Sequence, residues 1–185
     1  MKHDLKPAPI LYPMPVLIVG TYAADGTHDA MNAAWGCAAN YDKVALFLNP
    51  AHKTIENVLA AKAFTVGIAD AKNLVPADYV GVVSANDVPN KLEKTGWHVS
   101  KSAHVNAPVI EELGLTLECE LVSYDAETKY LVGKIVNIVA DERVLTDGKV
   151  DPAKLDPISY DPANNKYLRM GEVVGSAFHD GAALK

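Results

Sequence analysis

The sequence predicts a mainly β protein whose antiparallel sheet closes, or nearly closes, into a barrel. About six apolar or alternating segments of strand length are joined mostly by short turns. Only two or three short segments have helical spacing, so the regular strand–helix alternation of a doubly wound sheet is missing. The chain has 185 residues, 49% of them apolar, which is enough for a substantial core. No repeat or linker divides it, so one domain spanning residues 1–185 is expected.

The first half of the chain predicts a hairpin, a third strand, a helix and a fourth strand. Asp25-Gly26 favours a tight turn because Asp-Gly readily takes positive φ. Ile55, Val58 and Leu59 recur at helical spacing, and Thr54 is placed to cap that helix. The predicted strands are 16–22, 28–35, 44–48 and 64–68, and the predicted helix is 54–62.

The second half predicts one more helix and a second hairpin. Pro76 suits the first turn of a helix that opens near Asn73. Segment 115–121 alternates strictly, so its polar side, which includes Glu118, is expected to be a solvated face. The predicted strand 130–140 follows a turn and pairs with segment 115–121. The irregular segments are 86–108, which is long enough to be a functional cover or part of an interface, and 150–165; segment 167–178 closes the chain.

Composition excludes several classes of function. Lys and Arg number 17 against 23 Asp and Glu, and the net charge of −6 argues against nucleic-acid binding. Cys37 and Cys119 lack Cys-x-x-Cys spacing, which favours two structural thiols in a reducing compartment. His98 and His104 have no third ligand nearby, so no metal site is expected. The N-terminus has no signal-peptide core, and the longest apolar run, 15–20, is too short to span a bilayer. A soluble cytoplasmic protein is therefore expected.

Segment 32–54 carries the candidate ligand site. Lys53 and Thr54 stand at a predicted helix start, where free backbone N–H groups and a partial positive charge favour a phosphate. The Ala- and Gly-rich run 32–40 lets the backbone approach a flat ligand closely. No Gly-x-Gly-x-x-Gly or Walker loop is present, so a nucleotide-like ligand would bind by another route.

An ordered set of motifs resembles the flavin reductase-like FMN-binding split-barrel family. The set comprises Pro15-Val16, the Asp25-Gly26 hairpin, Asn32-Ala-Ala-Trp35, His52-Lys-Thr-x-Glu-Asn57 and Phe64-Thr-Val66. Further along, Lys94-Thr-Gly96, Ala107-Pro-Val-Ile-Glu111 and Tyr167-x-x-Met-Gly171 are similar to its flavoredoxin branch. Each motif alone is weak, and their shared order over residues 12–178 makes the resemblance specific.

The resemblance implies a homodimer with FMN near the subunit interface. Lys53 and Thr54 would hold the phosphate, with His52 either a further phosphate partner or an exposed loop histidine. The other implied contacts are the ring walls Asn32, Ala33, Ala34 and Trp35, the ribityl and phosphate contacts Cys37, Ala38, Ala39 and Asn40, and two residues that would approach the flavin, Thr95 and Tyr167. Gly-Cys-Ala-Ala at 36–39 replaces a hydroxyl-rich run, so more of the phosphate contact falls on Lys53, Thr54 and backbone N–H groups.

The implied activity is that of an FMN-dependent oxidoreductase, an NAD(P)H:flavin reductase in which NADH or NADPH is the electron donor. The alternative is a flavoredoxin-type electron carrier that works with protein redox partners. A third interpretation is a split barrel for another cofactor, such as haem or a deazaflavin. A flavin carries its own redox chemistry, so no catalytic acid or base is nominated.

Overall fold

The computed structural model describes residues 1–185, and most of its ordered backbone is β-strand. The strands are β1 (Met14–Pro15), β2 (Leu17–Tyr22), β3 (His28–Ala33), β4 (Gly36–Asn40), β5 (Lys43–Phe47), β6 (Ala63–Ile68), β7 (Val99–Lys101), β8 (Pro108–Ile110), β9 (Leu115–Asp125), β10 (Tyr130–Ala140), β11 (Leu145–Thr146), β12 (Lys149–Val150), β13 (Ile158–Asp161) and β14 (Lys166–Arg169). The helices are α1 (Lys53–Ala61), α2 (Leu74–Val82) and α3 (Pro152–Leu155), with 3₁₀ segments at Lys91–Thr95, Glu142–Val144 and Asp180–Leu184.

Seven strands form one antiparallel sheet in the order β3-β2-β6-β9-β10-β5-β4. The strand β2 pairs with β3 on one side and β6 on the other, so Leu17 lies opposite both Ala33 and Ile68. The long β9–β10 ribbon carries two register shifts, which strengthen the local twist and help the sheet to curl. The curled sheet confirms the predicted mainly β, split-barrel architecture.

Both faces of β2 are buried, and this explains its uninterrupted apolar sequence. Leu17 and Val19 belong to a core cluster on the inner face, which α1 closes through Ile55 and Val58. Ile18 belongs to a second cluster on the outer face, together with residues of α2, β8 and β13. A strand with water on one side would alternate instead. The sheet thus lies between two packed layers.

Gly133 of β10 marks the tightest packing of the inner core. A Cβ atom at this position would lie 2.3 Å from Cζ of Phe64, which is itself fully buried. We expect Gly133→Ala to lower the free energy of unfolding by about 1–3 kcal/mol, because overpacking forces neighbours out of their rotamers. Urea unfolding measures this. Gly171→Ala is the control, since open space surrounds Gly171 and little change is expected; equal stability losses in both variants would contradict the packing.

The start of α1 corrects the prediction that Thr54 caps this helix. The N-cap residue is His52, and its side chain makes no capping hydrogen bond. Thr54 lies inside the first turn, where it is buried and its hydroxyl faces Asp29 at 3.5 Å. Because the side chain of Thr54 points into the protein, it cannot fold back onto the helix start as a cap does.

The strand predicted over 28–35 ends at Ala33, and a separate strand follows at once. Residues 36–40 form β4, an edge strand of the large sheet that pairs only with β5. Small residues such as Ala38 and Ala39 have low β-propensity, so the sequence gives no strand signal here. Pairing with the strongly apolar β5 overrides that weak propensity. Residues 36–40 of the candidate ligand segment are therefore strand, with a register shift between Ala38 and Asn40, rather than free loop.

Two of the three polar residues on this side of β9 are buried and the third, Glu120, is exposed, which corrects in part the expectation of a solvated face. Glu118 is 1% exposed and Thr116 is 2% exposed. The carboxylate of Glu118 accepts a hydrogen bond from the side-chain amide of Asn137 on β10. The segment around Pro108 covers this face, since Thr65, the neighbour of Glu118 on β6, donates to the Pro108 carbonyl at 2.6 Å.

Two segments expected to be irregular contain short elements. Residues 86–108 hold a 3₁₀ turn and the strand β7, and residues 150–165 hold α3 and β13. Tertiary pairing stabilises them: β7 pairs with β8, and β13 pairs with both β1 and β14. The predicted second helix is present, with Ala77 and Val80 buried. The three helices are all too short to cross a bilayer.

Candidate functional site

A groove follows β3 from the start of α1 to the residues that precede β4. Its first part, which we call the basic depression, has a volume of about 150 Å³ and is lined by Asp29, Met31, His52, Lys53, Thr54, Lys91 and the end of α2. The second part, which we call the tyrosine depression, is lined by Asn32, Ala34, Asp78, Tyr160 and Tyr167. The two parts share Gly81 and Val82 of α2, so they form one continuous surface.

The first turn of α1 presents unpaired donors to the basic depression. The backbone N–H groups of Lys53 and Thr54 make no hydrogen bond within the protein. They also lie at the positive end of the helix dipole. The ammonium group of Lys53 adds a full charge, and in this structure it is bonded to Glu56 at 2.6 Å. This combination is a seat for an anion such as a phosphate.

A buried ion pair forms the wall of the basic depression behind this seat. The ammonium group of Lys91, 2% exposed, donates to the carbonyls of Val80 at 2.9 Å and Val83 at 2.7 Å. It lies 3.6 Å from Oδ1 of Asp29, beyond hydrogen-bond distance. Burial raises the pKa of Asp29, and burial lowers the pKa of Lys91. Lys91 therefore interacts mainly with the free carbonyls at the end of α2, and it compensates the charge of Asp29 only in part.

His52 stands at the rim of the same depression. Partial desolvation lowers the pKa of its imidazole, and the positive charges of Lys91 and Lys129 lower it further. The ring is therefore neutral at pH 7. A neutral imidazole can donate one hydrogen bond to an anion without adding a charge.

The tyrosine depression begins where β3 contacts α2. The side-chain amide of Asn32 donates to the Ala77 carbonyl at 2.9 Å, which fixes the orientation of this side chain. A Cβ atom on Gly81 would lie 2.9 Å from Cβ of Asn32, so α2 can approach β3 this closely only because residue 81 is glycine. The close approach brings Gly81 of α2 and Asn32 of β3 together in the wall of the tyrosine depression, which Ala34 also lines.

Tyr167 of β14 closes the far side of the tyrosine depression. Its hydroxyl donates to Oδ1 of Asp78 at 2.6 Å, and its ring lies 6.1 Å from that of Tyr160. Burial raises the pKa of the Tyr167 hydroxyl, and the hydrogen bond to Asp78 raises it further. The phenol therefore stays protonated and anchored to α2 at neutral pH.

Trp35 is 54% exposed and lines neither of the two depressions. With Ala34 and Cys37 it lines a neighbouring apolar pocket, whose other wall is the N-terminal segment with Leu11 and Pro13. Such an exposure is unusual for tryptophan, which is highly buried on average. The indole is available to a ligand or to another chain.

The remaining residues implied by the resemblance lie elsewhere. The side chain of Ala33 packs in the inner core. Ala38, Ala39 and Asn40 lie on the exposed β4 edge rather than in the two depressions. The hydroxyl of Thr95 donates to Leu92 within its own 3₁₀ turn. Contacts from these residues to a ligand stay predictions, and any contact from Ala33 would come from its backbone.

Sequence reasoning missed three of the groove's charged residues. Asp29 shares the alternation of Met31 and Ala33, so an acidic residue in phase with core positions was a readable signal. Lys91 gave no signal, because it lies in a polar segment and reaches the site only through the fold. Asp78 gave no signal either, since the hydrophobic pattern of α2 does not show that Tyr167 contacts the exposed side of this helix.

The fold and the groove together define a split-barrel protein with an anion seat at one end of a shallow cleft and aromatic side chains at the other. The family model described as the flavin reductase like domain matches residues 10–160. This match covers most of the chain, and the chain belongs to that family.

Solved structures of related proteins have the same architecture. The flavoredoxin of Desulfovibrio vulgaris (Miyazaki F) is 30% identical with a TM-score of 0.94, covering 98% of this chain and 100% of that one. The flavoredoxin from Methanosarcina acetivorans is 28% identical with a TM-score of 0.90 over the full length of both chains. An FMN-binding domain of a flavin reductases-like enzyme from Shewanella baltica, 23% identical with a TM-score of 0.79 over 88% of each chain, shows the fold alone.

One curated sequence is also similar. A protein from Aeropyrum pernix, described as uncharacterized, is 29% identical over 115 residues, which is 61% of this chain. The alignment spans 43% of that relative, less than half of its length.

Proposed function

We propose that this chain binds FMN and works as a redox flavoprotein. One observation carries the proposal: the free N–H groups of Lys53 and Thr54 and the cleft beside Asn32 and Tyr167 belong to one continuous groove. An anion seat joined to a cleft lined by Ala34, Tyr160 and Tyr167 suits a ligand with a phosphate at one end and an aromatic ring at the other. Membership of the flavin reductase-like family supports the same ligand.

The residues in the groove fit such a ligand. Lys53 and the α1 N-terminus would hold the phosphate, and neutral His52 would donate a further hydrogen bond. Asn32, Ala34 and Tyr167 would contact the ring. Oδ1 of Asp29 is buried without a hydrogen-bond partner in the same groove, an acceptor that a ligand could satisfy. A buried acceptor left unpaired is costly, so it marks a place where a donor belongs.

Bound FMN would supply the redox chemistry, taking up and releasing electrons at its ring. The task of the protein is then to bind, orient and partly enclose the ring. The orienting groups are Asn32, fixed by the Ala77 carbonyl, and Tyr167, fixed by Asp78.

We propose an NAD(P)H:flavin reductase as the first candidate for the electron path. The shallow, open tyrosine depression leaves room for a nicotinamide beside the ring. The second candidate is a flavoredoxin-type carrier that exchanges electrons with a protein partner. The specific observation in its favour is the similarity to two flavoredoxins over essentially the whole chain.

Anaerobic reduction separates the two candidates. The FMN-loaded protein is mixed with NADH or NADPH, and absorbance in the flavin band near 450 nm is followed. Bleaching within seconds by either nucleotide is expected for the reductase. A band that stays unbleached by both nucleotides, but is lost on adding a reduced ferredoxin, would assign the carrier. Free FMN mixed with the same nucleotides gives the background rate.

We further propose that the chain forms a homodimer. Trp35, Phe47, Val122 and Ile138 are large apolar side chains that remain between 44% and 54% exposed. Monomers seldom leave many such groups in water, and a second copy would cover them. Because the pocket lined by Trp35 shares Ala34 with the tyrosine depression, such an interface would place the site near the partner.

A further inference from the structure

Asp29 is a buried carboxylate with an unsatisfied oxygen at the anion seat. The residue is 3% exposed, and its Oδ1 atom has no hydrogen-bond partner. Its other oxygen, Oδ2, has only the Thr54 hydroxyl, at 3.5 Å. The ammonium group of Lys91 lies 3.6 Å from Oδ1. It makes two shorter hydrogen bonds, to the carbonyls of Val80 and Val83 at the end of α2. The buried carboxylate of Asp29 therefore lies in the wall of a depression whose other groups attract anions.

A carboxylate and a phosphate side by side repel each other strongly in a partly desolvated site. The repulsion disappears if one proton lies between them, because a carboxyl and a phosphate oxygen then form one short, charge-assisted hydrogen bond. The unpartnered Oδ1 atom is the position for that proton.

Building on the proposed function, we propose that Asp29 is a specificity-determining residue that shares one proton with the phosphate of the ligand. A phosphate monoester loses its second proton at about pH 6. Above that pH the free ester is a dianion, so the complex takes up one proton from solution when Asp29 is ionised. Riboflavin, which has the same ring and polyol but no phosphate, binds without this proton.

The charges around Asp29 agree with a shared proton. Burial is the main cause that raises the pKa of Asp29, and Lys91 opposes it. The other titratable groups facing the depression are His52 and Lys53 at the start of α1 and Asp25 in the β2–β3 turn. The Asp25 carboxylate is held ionised, because hydrogen bonds from Thr27 lower its pKa. It can therefore neither supply nor accept the proton near neutral pH.

The test is the pH dependence of binding to the full chain. Dissociation constants of FMN and riboflavin are measured by flavin fluorescence between about pH 6 and 9. The expected FMN affinity is flat at the acidic end and falls about tenfold per pH unit once both Asp29 and the phosphate, whose second pKa is about 6, are ionised in the free state; riboflavin affinity stays flat. In Asp29→Asn the amide donates permanently, so the decline disappears. This variant keeps His52, Lys53 and Lys91. The difference between the pH profiles of the wild type and the variant therefore leaves out the titration of these three residues.

A second measurement needs no variant. Calorimetric titration of the wild-type chain with FMN at about pH 9, in two buffers of different ionisation enthalpy, is expected to show uptake of close to one proton. A flat FMN profile, zero uptake, or an identical decline in Asp29→Asn overturns the inference and leaves FMN binding standing. Absence of binding by both flavins overturns the proposed function as well.

Discussion

Replacing Lys91 by methionine is expected to destabilise the folded chain by about 3–5 kcal/mol, the usual effect of removing one member of a buried ion pair. The ammonium group is 2% exposed and satisfies the carbonyls of Val80 and Val83. Methionine has a similar length and no donor, so both carbonyls and the carboxylate of Asp29 would stay buried without a partner. Urea unfolding followed by circular dichroism measures the loss.

Two further variants isolate the cause. Lys94→Met changes an exposed lysine of the same 3₁₀ turn and is expected to change stability by less than about 0.5 kcal/mol. Adding Asp29→Asn to Lys91→Met removes the uncompensated charge and should restore part of the lost stability. Equal effects of Lys91→Met and Lys94→Met would show that the buried pair does not stabilise the fold.

The second large effect is expected on ligand binding. Lys53→Ala should weaken FMN by about 10- to 150-fold, corresponding to the loss of a charge-assisted contact of about 1.5–3 kcal/mol. Riboflavin should bind the variant as well as the wild type, because it has no phosphate. Lys53 is partly exposed, and its only ion pair is with Glu56 on the surface, so the fold should tolerate its loss.

Two controls belong to this measurement. Lys72→Ala removes an exposed lysine outside the groove and should leave FMN affinity unchanged. Glu56→Gln frees Lys53 from its partner at 2.6 Å and should leave FMN affinity unchanged or higher. If Lys53→Ala weakened FMN and riboflavin equally, the phosphate would not lie at the start of α1.

Much of the fold was readable in the sequence because local pattern and tertiary structure agree there. The predicted strand 16–22 matches β2, and the Asp25-Gly26 turn is present, with Gly26 at φ 86°. The sequence misled where tertiary contacts decide. Segment 36–40 became a strand through pairing with β5, and Glu118 became buried because a distant segment covers β9. Neither effect leaves a periodic signal in a single sequence.

The candidate site divides in the same way. Lys53 was predictable because the chemistry of a helix start is local. The position of Thr54 was wrong in detail, since a cap and a buried first-turn residue have the same sequence signature. Asp29 and Lys91 are 62 positions apart in the chain and come together only after folding. Their chemistry therefore became visible only in the structure.

The most direct test of the account is a titration of the purified, flavin-free protein with FMN, followed by visible absorption and flavin fluorescence. The account predicts saturable binding of one FMN per chain, a shifted flavin band, and an affinity at least tenfold higher than that for riboflavin. Absence of any spectral change at FMN concentrations above the protein concentration, or equal affinity for FMN and riboflavin, would contradict it.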